Sequence, residues 1–375
     1  MALPRCDTWP HAVKTPIRGV DEVYIDFTDV PGGQLEGGEY LASEHRAIVE
    51  AFESGDPAAV DAAIATNAAI AVTGPHLCGM GGDLFALVWI EKDQKLYALN
   101  ASGRSPYDWN LDAAHALNLS DIPSHSPLAW NVPGCVSGWE ALSKRFGKLP
   151  LAKCLEPAIN TAREGFPLSP IISTHFAWPS ALAPDMAKVY HPDGKIPKYG
   201  DIFANPLLAH RLEEVAQGGA AAFYEGEAAQ KIVAKSQELG GKMSLKDFKD
   251  HTADWVDPVS SSYRGWDVWE IPPNGQGIGA LISLVILDNF DMRNLKVDSA
   301  DSLHVQIEAM KLALQTAEVN VTAVNEHLTR ITEMSEALVA TLKAGPESAS
   351  GIPRVLGGVP PVAIGPRSDA DYYEV

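Results

Sequence analysis

The side chains with chemistry to offer fall in three short stretches of this 375-residue chain. The first, Gly74-Pro75-His76-Leu77-Cys78-Gly79-Met80-Gly81-Gly82-Asp83, puts an imidazole, a thiol and a carboxylate on a glycine-rich turn. The second, Leu99-Asn100-Ala101-Ser102-Gly103-Arg104-Ser105-Pro106, sets one guanidinium among small polar side chains. The third is Asn274-Gly275-Gln276-Gly277. Glycine lets a backbone come close to a ligand because no Cβ intervenes. Arginine offers a planar fork of donors that matches a carboxylate. Other chemistries lack their companion residues. Gly79-Met80-Gly81-Gly82 lacks the third glycine position of a dinucleotide fingerprint and lies between a helix and a strand in the wrong order for one. Cys78 has no His-Cys constellation to activate it, and a structural thiol is the simpler reading. Cys6, Cys78, Cys135 and Cys154 include no Cys-x-x-Cys pair, so neither a disulfide framework nor a zinc site is signalled. His304 and Glu308 have the spacing of half a metal site on a helix, without a third ligand, so no metal and no cofactor are expected.

The elements that must position these residues are legible from pattern. Ala-rich Val60 to Val72 favours a helix with little to keep its backbone from a neighbouring sheet. The glycine turn follows, then strands over Leu84 to Trp89 and Leu96 to Leu99, joined by Glu91-Lys92-Asp93-Gln94-Lys95. Gly226 to Leu239 has the apolar spacing of an amphipathic helix stopped at Gly240-Gly241. Tyr263 to Ile271 alternates like a strand ending at Pro272-Pro273, and Ser302 to Leu342 is helical in spacing with a break near Asn325. Asp83 is placed to cap local amides of its turn.

Composition narrows the class. With 46% hydrophobic residues the chain can bury a sizeable core. A formal charge of −19 argues against nucleic acid and against anionic membrane surfaces as partners. No apolar run approaches the roughly 20 residues that span a bilayer. Met1-Ala2-Leu3-Pro4-Arg5 has neither the charged start nor the apolar stretch of an export signal, which points to the cytoplasm.

The order of these features resembles the gamma-glutamyltranspeptidase family. The resemblance is carried by Ser43-Glu44, Val60-Asp61-Ala62-Ala63, the Gly79 to Asp83 turn, Phe85-Ala86-Leu87-Val88 and Val132-Pro133-Gly134-Cys135-Val136-Ser137-Gly138-Trp139. Phe146-Gly147-Lys148-Leu149-Pro150 and Glu156-Pro157-Ala158-Ile159 follow, then Phe223 to Glu227, Gly240 to Phe248, Tyr263 to Trp266, Pro272 to Gly277, and Glu308 to Ala313. The resemblance implies an α/β (α+β) fold, a four-layer αββα sandwich of the N-terminal nucleophile (Ntn) hydrolase type completed by a small subunit. It implies a large-subunit domain over residues 1–343, read as one interlocked domain, and a Gly-, Pro- and Ser-rich linker over 344–375 that ends near an autoproteolytic site. The nucleophile would be a Thr opening the small subunit after Val375, its α-amino group serving as base. A truncated chain explains the ending equally well.

Substrate choice turns on the second stretch. Family transpeptidases carry an Arg-Glu-x-Ala-Pro turn whose Arg grips the α-carboxylate of the glutamyl donor; aligned on the proline, Ser102 takes that place and Arg104 falls two residues later. The Gly-Arg-Ser-Pro pattern is similar to a cytosolic branch that includes hydrolases of small carboxylate-bearing amides, oxamate among them. The resemblance thus implies amide hydrolysis, with Arg104, Ser102, Asn100 and His76 as substrate-binding residues and no catalytic residue in this chain. A gamma-glutamyltransferase or glutathione hydrolase is the alternative, and an unprocessed binding or scaffold homologue a further one. The implied partner is a small subunit from the same precursor, as a heterodimer or a dimer of heterodimers. Two readings of Arg104 stay open here: contact with an anionic substrate, or pairing with an acid that pins the turn. His76 and its glycine turn have two likewise, a pocket wall or a packing turn.

Overall fold

A computed structural model describes residues 13–17, 20–25, 58–119, 121–123, 126–177 and 184–320. In chain order its strands are β1 Val13–Ile17, β2 Val20–Ile25, β3 Leu84–Ile90, β4 Lys95–Ala101, β5 Phe166–Pro167, β6 Ile202–Phe203, β7 Asp254–Val256, β8 Val259–Tyr263 and β9 Trp266–Glu270. Its helices are α1 Ala58–Thr73, α2 Leu111–Ala116, α3 Cys135–Phe146, α4 Leu151–Glu164, α5 Pro170–His175, α6 Pro184–Tyr190, α7 Pro206–Tyr224, α8 Glu227–Glu238, α9 Leu245–Lys249, α10 Gly277–Leu287 and α11 Ala300–Asn320. They divide into two interleaved units. One takes the described residues up to Leu84 with Gly103–Ala113 and Trp130–Ala253; the other takes Phe85–Ser102, Ala114–Ala129 and the described residues from Asp254 on. The stretch 344–375, read as a linker, and the helical spacing beyond Asn320 lie outside the described residues.

In the first unit α1 packs on α4 and α3, and α4 packs on α7. The alanine stripe of α1 therefore finds helices as its main neighbours in this unit, where a sheet was expected. The physical reason is the same in both cases: Ala62, Ala68 and Ala71 are buried and hold no backbone away, and Ala158 and Ala162 of α4 are buried too. The Asp61 carboxylate is also buried on α1 and accepts hydrogen bonds from the Lys148 and Leu149 amides at 3.0 and 2.9 Å. The acid of Val60-Asp61-Ala62-Ala63 thus ties α1 to the Phe146 to Pro150 loop, two stretches that the sequence presents as separate blocks. Gly219 breaks the course of α7 with φ +66°, and Glu140 of α3 accepts from the Ala220 amide at 3.1 Å, restarting the helix beyond the break. Phe166, Phe176, Tyr190 and Phe203 form an aromatic cluster with ring centroids 4.7–6.1 Å apart.

In the second unit β3, β4 and β7 form a sheet in that order, with Ala98 opposite Val256 and Asn100 opposite Asp254 in the antiparallel β4–β7 pair. The stretch Tyr263 to Ile271, expected as one strand, is split: Tyr263 ends β8, and Arg264 and Gly265, at φ +54° and +86°, turn the chain into β9. Positive φ at both central residues is the demand of a tight hairpin whose twist matches its strands, and an Arg-Gly pair only half advertises it. The apolar helix α10 packs on α11, where Ile278, Ile282 and Ile286 meet Ala309 and Ala313.

Candidate functional site

Arg104 lies in the first unit, on a turn held by close backbone contact. Gly103 has φ +84°, and a Cβ there would sit 1.8 Å from the Val132 carbonyl oxygen, while Val132 N donates to Arg104 O at 2.9 Å. Only glycine allows the turn and the Val132–Gly134 loop to come this near. The same loop is anchored to the glycine turn, since Gly134 and Cys135 amides both donate to Gly82 O, at 2.9 and 3.0 Å.

The Arg104 guanidinium stacks over the Tyr107 ring, its central carbon 3.6 Å from the centroid, and Nη1 donates to the Tyr107 hydroxyl. That hydroxyl donates to Asp250 Oδ2 at 3.0 Å, and Lys246 pairs with the same carboxylate while its ammonium lies 4.4 Å from the Tyr107 centroid. Lys246 and Tyr107 hold the Asp250 carboxyl below the usual carboxylate range. Tyr107 N donates at 2.8 Å to Asp247 Oδ1, and the other oxygen of this fully buried acid caps α9 through Ser244 N and Oγ, both at 2.7 Å. Arg104 Nε is enclosed with no hydrogen-bond partner, and among the described residues no carboxylate forms an ion pair with the guanidinium. The Gly240 to Phe248 block was recognised only as a resemblance; three contacts to one turn, from Lys246, Asp247 and Asp250, were not legible because they span about 140 residues of sequence.

Ser102 and Asn100 lie in the second unit and do come together there. The Ser102 amide donates to Asn100 Oδ1 at 3.0 Å, Asn100 Nδ2 donates to Asn274 Oδ1 at 2.9 Å, and Asn274 Nδ2 donates to Ser102 Oγ at 2.9 Å. The Asn274 turn, noted in sequence as a glycine-bearing approach, is thereby joined to the end of β4. These are neutral donors and acceptors on an exposed edge.

His76 sits elsewhere in the first unit, its ring stacked on His175 with centroids 3.9 Å apart. Burial, and then the neighbouring His175, push its pKa below the ordinary imidazole value. Burial alone pushes the Cys78 thiol up, away from the thiolate a nucleophile needs. Ser137 Oγ lies 2.9 Å from His251 Nε2, a spacing seen between nucleophile and base. The same hydroxyl donates to Gly134 O at 2.7 Å, which holds Ser137 as part of the loop. Tyr224 closes this corner by donating to Pro133 O at 2.6 Å, and burial pushes its phenol up to about 12. Glu308 pairs with Lys311 at 2.8 Å, which engages the carboxylate that the helix spacing had offered beside His304.

This arrangement of helices and short sheets belongs to the Ntn-hydrolase class. The structure superposes on the cephalosporin acylase from Bacillus halodurans with TM-score 0.67 at 34% identity, covering 78% of this chain and 57% of that one. The chain belongs to the gamma-glutamyltranspeptidase family, whose sequence model matches residues 51–344. It is 40% identical over 259 residues to the glutathione hydrolase-like YwrD proenzyme of Bacillus subtilis (strain 168), covering 68% of this chain and 49% of the relative. It is 31% identical over 303 residues to the oxamate amidohydrolase proenzyme of Klebsiella pneumoniae subsp. pneumoniae, covering 77% of this chain and 55% of the relative. The chain thus spans about half the length of these curated relatives.

Proposed function

We propose that this chain is the large subunit of a self-processed amide hydrolase that works on a small carboxylate-bearing substrate. The partner is a small subunit from the same precursor, whose N-terminal Thr attacks the amide carbonyl. The hydroxyl proton passes through the Thr α-amino group to the departing amine, and water then resolves the acyl-enzyme. The observation that carries the substrate class is the state of Arg104. Its guanidinium is oriented by a tyrosine, among the described residues it forms no direct ion pair with a carboxylate, and one of its donors has no acceptor there. A planar fork with an open donor suits a carboxylate that arrives with the substrate. Ser102 in the place of the family's arginine supports a substrate other than the usual glutamyl donor. The relative named as a glutathione hydrolase-like proenzyme keeps glutathione as the second substrate to test.

Two apolar faces of the second unit support the partner. On edge strand β3, Phe85, Leu87 and Trp89 share one face and are 39%, 40% and 52% exposed. On α11, Leu303, Ile307, Met310 and Leu314 lie along one exposed stripe. Such patches mark surfaces that another chain covers.

The test is the precursor in which this chain is followed by its C-terminal half, assayed for ammonia released from oxamate and glutamate released from glutathione. Self-cleavage before a Thr with turnover of either is the expected result, and Arg104→Ala is expected to raise KM at least about tenfold, the effect of losing a charge-assisted pair. A correctly folded Arg104→Ala enzyme with unchanged KM would dismiss the role given to Arg104. An uncleaved, inactive precursor would move the non-catalytic scaffold reading to the front.

A further inference from the structure

Arginine is a flexible side chain, and a guanidinium that grips a carboxylate with two donors must be held in one plane and one direction. The contacts around Arg104 do this through a single aromatic residue. Tyr107 is tied to α9 at two points: its amide to Asp247, whose side chain caps the helix start, and its hydroxyl to Asp250, which caps the helix end. Fixed at both ends, the ring offers Arg104 a flat surface at 3.6 Å and an oxygen that accepts from Nη1. Because the hydroxyl proton already points at Asp250, the lone pairs of the phenol are what Arg104 meets, and the donor chain strengthens each link. Lys246 pairs with the same Asp250 carboxylate.

We propose that Tyr107 is a positioning residue for substrate recognition, holding Arg104 in the plane that receives the substrate carboxylate, with Asp250 fixing the Tyr107 hydroxyl. The proposal rests on the reading of Arg104 as the carboxylate contact. Nη1 is turned to the phenol, and the edge bearing Nε is the one whose donor has no acceptor; that edge receives the carboxylate, with a shift of the atoms that now enclose Nε. No step of bond-making passes through Tyr107, which touches the arginine and leaves the reacting carbonyl to the partner subunit.

The experiment uses the processed two-subunit enzyme with oxamate and glutathione, each beside a counterpart in which the carboxylate nearest the scissile amide is a carboxamide. Tyr107→Phe keeps the ring and removes the hydroxyl; Asp250→Asn keeps an acceptor for that hydroxyl and removes the charge. Tyr107→Phe is expected to raise KM for the carboxylate substrate about tenfold with kcat within about twofold, to leave the carboxamide counterpart unaffected, and to lower the unfolding temperature by no more than the loss of a hydroxyl's hydrogen bonds. Asp250→Asn is expected to give a smaller rise, about threefold, with the same selectivity. A merely structural role would lower kcat and the unfolding temperature together and act on both members of each pair. If Arg104→Ala abolishes the preference for the carboxylate while Tyr107→Phe and Asp250→Asn do not change it, positioning by Tyr107 is overturned and the role of Arg104 stands. If Arg104→Ala leaves the preference intact as well, or neither amide is turned over, both fall together.

Discussion

Arg104 shows how much a residue's role depends on what its neighbours leave undone. The family resemblance located it, but whether it was neutralised by an acid could be known only from Asp250, which pairs with Lys246 and reaches Arg104 through a phenol. Lys246 and Asp250 both stay charged across the neutral range, because Lys246 is pushed up and Asp250 is held down by their mutual pairing. KM for a carboxylate substrate is therefore expected to stay flat between about pH 5 and 8 and to rise only as acid titrates Asp250, below the ordinary range near 3.9. Steady-state kinetics across that range checks this. His76 has the opposite visibility. Its pKa is lowered on folding, so the unfolded chain binds protons more readily, and the stability this contributes is fully present above about pH 6.5 and lost as pH falls through the folded value. Thermal unfolding is expected to weaken from pH 7 to 5, and His76→Gln to flatten that slope; an unchanged slope would count against the assignment. Sequence placed His76 on its glycine turn, yet the ring it stacks on stands about 100 residues away, where no local pattern reaches. Asp61 was visible as part of a family block without a reason. Its reason is a buried carboxylate that accepts from the Lys148 and Leu149 amides, and Asp61→Ala is expected to lower stability by about 1.5 to 3 kcal/mol in denaturant unfolding, the range for hydrogen bonds to a charged group.

Elements were legible where a period ran for several turns. The glycine turn between α1 and β3, the stop at Gly240 and the helix before it are all properties of nearby residues. The partners of α1 were not, because a stripe of alanines permits close approach to a sheet or to another helix alike. The hairpin of β8 and β9 was misread as one longer strand, since Arg264 takes a left-handed conformation that its type rarely adopts. Gly103 belongs to this scale as well, because it sets the distance between two loops. Gly103→Ala would place a methyl group inside the van der Waals boundary of the Val132 carbonyl on a backbone that disfavours it. A loss of about 3 kcal/mol or more is expected, with KM for carboxylate substrates raised because Arg104 moves with its turn. Denaturation and kinetics on the same variant would show both effects.

For the whole molecule, the strongest indications are the high negative charge, which suits solubility, and the apolar faces of β3 and α11, which do not. If the proposed small subunit covers them, this chain made alone should bind a hydrophobic dye strongly. Adding that subunit should reduce the binding and shift tryptophan emission to shorter wavelength. Dye binding that stays the same would mean that these faces have another occupant. Interleaving of the two units has a consequence in time. Ala98 must pair with Val256, about 150 residues further on, so β4 leaves the ribosome long before its partner strand exists. At translation rates of roughly 5 to 20 residues per second, that edge waits on the order of ten seconds or more with its amides and carbonyls bare. The newborn chain is thus most vulnerable to mispairing midway through its own synthesis, and any slowing of the message between those two strands lengthens the danger.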